Sequence, residues 1–247
     1  MRARAAALWL SLAATPAIAA DGAALNILGY SPDSRYFAFE QYGVQDGSGF
    51  PYWDIFIIDL KSNGWLPGTP VRALVESEDA RPSAARDKAM AEARPLLEAR
   101  HISEPGDILA ANPATEMREG RDRLAFDRWY VSMGSRPDGH GSDQIRFELA
   151  VENLALPRPA NCPADDGDTY GFRLTLKDET AGSTRTLHED TGIPQSRNCP
   201  LGYDLSAVVA PAGFPVTDRL VAIVGVYARG FEGANHRFIA VPFSVSE

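Results

Sequence analysis

Strict two-residue alternation constrains this chain more than any other feature. Across residues 144–152, Ile145, Phe147, Leu149 and Val151 fall on one face and Arg146, Glu148 and Glu152 on the other, the pattern of a strand with one dry side and one wet side. Phe172, Leu174 and Leu176 repeat it against Arg173, Thr175 and Lys177. A half-buried antiparallel sheet has to cover its apolar face with a second layer, so the alternation predicts stacked sheets. Further strands are expected at residues 25–30, 36–42, 53–60, 205–210, 220–227 and 238–245. The 21 glycines and 18 prolines supply many turns between them.

The same reading places the punctuation. Ser31-Pro32-Asp33-Ser34 has the residues of a tight turn, because proline presets φ and aspartate hydrogen-bonds the local backbone. In residues 53–60, Ile55 and Ile57 point one way and Phe56 and Ile58 the other, which predicts a strand buried on both faces. Asn63-Gly64 predicts a type I′ hairpin, with Trp65 and residues 71–75 returning at an edge or interrupted by Pro67 and Pro70. Ala85, Ala89, Ala93, Leu96 and Leu97 recur at helical spacing, which predicts one packed helix, capped near Asp79 and kinked or broken at Pro95. Residues 102–120, with Pro105, Gly106 and Pro113, read as a connection. The expected fold is mainly β: an antiparallel β-sandwich-like or layered domain with one N-terminal meander and one inserted helix. Its parts are residues 1–19, 20–76, 77–120 and 121–247.

Compartment follows from the N-terminus and the cysteines. Arg2 and Arg4 precede a short apolar run that ends in Thr15-Pro16-Ala17-Ile18-Ala19, the layout of a secretory signal peptide cleaved after Ala19 or Ala20. The run is too short for the roughly 20 apolar residues of a membrane span, and no cysteine stands beside the cleavage point to take a lipid. The mature chain is expected in the periplasm or secreted, with no membrane span. Cys162 and Cys199 are the only cysteines; in an oxidising compartment they read as one disulfide, worth roughly 4 kcal/mol of loop-closure entropy. A formal net charge of −9 repels phosphate backbones, so nucleic acid is excluded as a partner.

Two resemblances add to this. Leu28-Gly29-Tyr30-Ser31-Pro32-Asp33-Ser34-Arg35-Tyr36-Phe37-Ala38-Phe39, followed by Asp54-Ile55-Phe56-Ile57-Ile58-Asp59-Leu60, resembles one blade of the propellers in periplasmic TolB-like proteins. The nearest echo, Ser135-Arg136-Pro137-Asp138-Gly139, lacks the aromatic pair and is not counted as a second blade. The segments Tyr42-Gly43-Val44-Gln45-Asp46-Gly47-Ser48-Gly49-Phe50-Pro51-Tyr52, Ile193-Pro194-Gln195-Ser196-Arg197-Asn198-Cys199-Pro200 and Gly230-Phe231-Glu232-Gly233 with Arg237-Phe238 look like an uncharacterised bacterial family of predicted secreted proteins. That resemblance implies export and carries no activity, cofactor or catalytic residue.

Candidate chemistry sits in loops. Residues 46–52 combine glycines with Phe50 and Tyr52, and Gly230-Phe231-Glu232-Gly233 forms a similar aromatic loop. Flexible backbone beside rigid aromatic surface is what recognition loops use, so Asp46, Phe50, Tyr52, Phe231 and Glu232 are the candidate ligand-binding residues. The alternative for Phe50 and Tyr52 is a lid folded over the core. Asp165-Asp166-Gly167-Asp168 could gather on Ca²⁺ but lacks EF-hand spacing and reads as a solvated acidic turn. Four histidines are present, with no G-x-S-x-G, H-E-x-x-H, P-loop or dinucleotide motif; His188-Glu189-Asp190 reads as a polar turn. The leading expectation is a non-enzymatic binding or protein-interaction module for a protein or small-molecule ligand of the cell envelope, without a cofactor. A cell-envelope hydrolase with a dispersed site and a Ca²⁺-stabilised structural protein are the alternatives.

Overall fold

The computed structural model describes residues 21–113, 120–132, 141–163, 167–212, 219–231 and 233–246, with backbone alone for 128–132 and 141–144. The proposed signal peptide, the echo at 135–139, and Asp165, Asp166 and Glu232 lie outside the described residues.

The chain opens with an antiparallel meander, β1 (Ala24–Tyr30), β2 (Tyr36–Val44), β3 (Pro51–Asp59) and β4 (Gly64–Trp65), and β5 (Val71–Leu74) then pairs with the other end of β3. Helix α1 (Pro82–Ala99) follows, and then β6 (Gly106–Ala111). A second meander, β7 (Arg123–Ser132), β8 (Gly141–Ala155), β9 (Tyr170–Asp178) and β10 (Ser183–Glu189), forms a second sheet. One turn of 3₁₀ helix (Gln195–Arg197) leads into β11 (Pro200–Pro211), β12 (Leu220–Arg229) and β13 (Ala234–Phe243). These make a third sheet in the order β13-β12-β11-β6.

Side-chain periodicity stacks the sheets. In the third sheet Leu205, Val208, Ala222, Val224 and Val226 pack on Phe147, Leu149, Phe172 and Leu174 of the second. The opposite side of the third sheet, with Ala207, Val209, Val221, Ile223 and Phe238, packs on Tyr30, Phe37, Phe39, Phe56 and Ile58 of the first. Trp53, Ile55 and Ile57 turn from β3 to the outer side of the first sheet. There Trp53 and Ile55 meet Ala85, Ala89 and Ala93 of α1, and Ile57 packs with Leu96 and Leu97. The order of layers is therefore helix, first sheet, third sheet, second sheet, with the third sheet dry on both sides. Each large side chain so enclosed stabilises the fold by roughly 2 kcal/mol through burial.

The expected strand buried on both faces is β3. Five local expectations need correction. Residues 102–120 contain β6, which the flanking proline and glycine concealed; among the described residues β6 pairs with β11 alone, so a few half-buried residues suffice. His188 and Glu189 end β10 and do not form a turn; the polar run is the wet edge strand of the second sheet. The helix runs through Pro95 without a break, since only four residues follow it and Leu96 and Leu97 anchor them to the sheet. Its N-cap is Arg81, with Pro82 in the first turn. At the hairpin, Asn63 alone is left-handed, at φ 49°, because β3 and β4 close at Asp59 and Gly64 around a loop longer than a type I′ turn.

Candidate functional site

Residues of the first and third sheets line a cavity of about 710 Å³, within the range of small-ligand sites. Its walls come from β2, β3 and β5 on one side and β12 and β13 on the other. The segment carrying Gln195, Ser196, Arg197 and Asn198 forms a third wall.

Both candidate loops rise from the rim of this groove. Val44 pairs with Pro51, so the first loop is held between two strand ends, with the Gln45 N–H donating to Phe50 O at 2.9 Å. Arg229 pairs with Ala234, and the Gly230 N–H donates to Gly233 O at 2.8 Å across the second loop. The loops meet: Gly47 is left-handed at φ 82°, and a β-carbon there would lie 3.2 Å from Phe231 Cδ1. Phe231 stands 79% exposed. Gln45, Tyr52, Arg229 and Asn235, which flank the two loops, line the groove beneath them.

Among the sequence candidates, Phe50 is half-buried and Tyr52 is buried. The Tyr52 hydroxyl donates to Asp21 Oδ1 at 3.0 Å, and the Arg237 guanidinium lies 4.4 Å from the ring centroid. Burial pushes the Tyr52 phenol well above its ordinary value. Arg237 in turn donates to Asp21 Oδ2 at 2.6 Å, and the His236 N–H donates to Asp21 O at 2.9 Å. Asp21 thus pins the start of the described chain to β13 and fixes the Tyr52 and Arg237 side chains that form the wall.

Sequence reasoning missed the charged residues of the groove. Arg72 and Asp54 face each other across the β3–β5 pairing. Burial raises the Asp54 pKa, opposed by the Gln41 amide, which donates to Oδ2 at 3.1 Å, and by the positive charges of Arg72 and Arg237. Trp65 is 48% exposed and forms part of the lining. On the third wall, Arg197 is inserted between Asp190 and the faces of Phe172 and Tyr203, with its guanidinium carbon 4.9 Å from the Phe172 centroid. His188 Nε2 donates to Asp190 Oδ1 at 2.9 Å, and the Phe172 N–H donates to Oδ2 at 2.9 Å. Burial alone would raise the Asp190 pKa, but the three hydrogen bonds and the Arg197 charge outweigh it and hold the carboxyl at about 2. Ser196 shares the wall with His188, yet no hydrogen bond joins them, so no nucleophile–base pair is assembled there. Arg72 meets β3 across a strand pairing and Arg197 meets Asp190 through the 3₁₀ turn seven residues on, and no local motif encodes either.

The cysteines are joined: Cys162 and Cys199 form a disulfide with Cα atoms 5.6 Å apart, tying the loop after β8 to the third wall. Among the described residues no set of three or more His, Cys, Asp or Glu side chains is placed to hold a metal ion, and no helix is long and apolar enough to cross a membrane.

No curated protein and no solved structure matches this chain. A family model described as "Predicted secreted protein (DUF2259)" matches residues 38–244. That span runs from the middle of β2 past the end of β13 and takes in the groove, its three walls and both loops; the chain belongs to this family of predicted secreted proteins.

Proposed function

We propose that the protein is an exported, non-enzymatic binding or interaction module whose ligand seats in the groove between the first and third sheets, beneath the rim formed by the loops at 46–50 and 230–233. One observation carries this reading. Two loops far apart in sequence converge on the same end of one groove, with Phe231 resting over Gly47. A large aromatic left 79% exposed has an energetic reason to be covered by a partner. Asp46 and Phe50 would contribute from the facing loop, and Tyr52 would act from behind as a fixed wall.

The test is native mass spectrometry of the protein released gently from the cell envelope, comparing wild type with the Phe50→Ala/Phe231→Ala double variant. Wild type should carry a bound mass that the double variant has lost. Phe231→Ala alone should change stability by no more than about 0.5 kcal/mol, so a loss of the bound mass would report recognition. A bound species retained in full by the double variant would place the site elsewhere.

A further inference from the structure

We infer that the groove recognises an acidic saccharide, a sugar chain bearing carboxylate or phosphate groups. This rests on the reading that the groove is the binding site, and it adds the chemistry of the occupant.

The first argument is charge. The protein is acidic overall, at −9, yet the described lining of the groove holds Arg72, Arg197, Arg229 and Arg237 against one carboxylate, Asp54. Arg197 and Arg237 are matched by Asp190 and Asp21, so their positive charge is largely committed. Arg72 is different. It is exposed, and its guanidinium, whose charge acts on Asp54, makes no hydrogen bond with a described residue. Its cross-strand neighbour Asp54 is turned to Gln41 and held where burial disfavours its charge. An open guanidinium fork in a cleft is suited to a planar or tetrahedral oxyanion, which it binds through two parallel hydrogen bonds. A cleft with more arginines than carboxylates in its lining, on a protein that is acidic overall, draws anions to it.

The second argument is the rest of the lining. Gln195, Ser196 and Asn198 are exposed on the third wall and present amide and hydroxyl groups to the groove, donors and acceptors that suit a hydroxyl-rich ligand. Trp65, half-exposed on the same lining, offers a flat amphipathic face. The ligand that satisfies all three has an anionic group for Arg72, hydroxyls for the polar groups of the third wall and a ring face for Trp65. An acidic peptide fits less well. Extended peptides bind by adding to an open strand edge, and the β13 edge is closed at His236. There the Ala23 N–H donates to His236 O at 3.0 Å, and Asp21 O accepts from the His236 N–H.

The experiment titrates the exported protein with uronic-acid oligosaccharides, phosphorylated oligosaccharides, neutral glucan oligomers of equal length, polyglutamate and inorganic phosphate. Binding is followed by calorimetry and tryptophan fluorescence. At least one acidic saccharide should bind about tenfold or more tightly than the neutral oligomer, and whether it bears carboxylate or phosphate identifies the anionic group. Arg72→Gln should weaken that binding by about tenfold or more and leave the weak neutral binding unchanged, while Trp65→Ala should weaken both. The proposal is overturned if polyglutamate binds as tightly as the best saccharide, if Arg72→Gln has no effect, or if no acidic saccharide binds. If none binds while the native protein still carries a mass that the double loop variant loses, the saccharide assignment fails and the groove remains. If that mass is absent too, both fail.

Discussion

Asp190 shows how one residue can organise a wall of the groove. Its two oxygens accept from His188, Arg197 and the Phe172 N–H, so a single buried carboxylate fixes the end of β10, the 3₁₀ turn and β9 together. Its pKa lies at about 2, below the ordinary 3.8. A depressed folded-state pKa means that its stabilisation is complete above the unfolded value and fades as pH falls from about 4 through 2. The size of the shift corresponds to about 2 kcal/mol. Asp190→Asn should therefore lower stability at pH 7 by roughly 3 kcal/mol, because it leaves Arg197 buried without a counter-charge. The gap between variant and wild type should narrow toward pH 2. Urea midpoints at pH 7, 4 and 2.5 check this, and a gap that stayed constant would show that the carboxylate charge contributes nothing. None of this was legible in His188-Glu189-Asp190, because the partners that give the aspartate its role come from the 3₁₀ turn, in Arg197, and from β9, in Phe172. Tyr52 and Phe231 were legible because an aromatic among glycines stands out locally. Arg72 was not, since what distinguishes it is a guanidinium with no hydrogen-bond partner among the described residues.

At the scale of elements, the groove's third wall is a short irregular segment, and such segments keep their shape only when tied down. The disulfide does this at the segment's C-terminal end through Cys199, and Arg197, just before it, adds the contact with Asp190. Loop-closure entropy for a bridge with a sequence separation of 37 gives roughly 4 kcal/mol. Cys162→Ser/Cys199→Ser should lower the unfolding free energy by about that amount, and amide exchange at residues 195–198 should rise further than in β11. Equal protection before and after would mean that the Arg197–Asp190 contact alone holds the wall. Elements were readable where the pattern was long or symmetric. The alternation of β8 and β9 and the two-sided apolar run of β3 all announced themselves. The edge strands β6 and β10 did not, because a strand with one neighbour and much exposed surface needs little apolar patterning and resembles a loop.

The whole molecule depends on the third sheet, which the other two sheets share. One side of it carries the core with the second sheet and the other side the core with the first, so neither flanking sheet can leave without exposing a face that was dry. The layered class followed from alternation. The order of the layers did not, since nothing in a strand's own sequence says which sheet covers it, although the long apolar runs of β11 and β12 are what a sheet covered twice requires. Shared burial predicts one cooperative unfolding transition. With Trp129→Phe in the mature chain, fluorescence reports Trp53 and Trp65 of the first sheet, whereas far-UV circular dichroism reports all three sheets, and the two urea transitions should coincide. Ile223 is fully buried on the side of the third sheet that faces the first. Ile223→Ala should cost roughly 3 kcal/mol and move both transitions together. A fluorescence transition that shifted alone would mean that the first sheet unfolds independently, and a groove lying between two separately folding bodies would lose the fixed walls that recognition there requires.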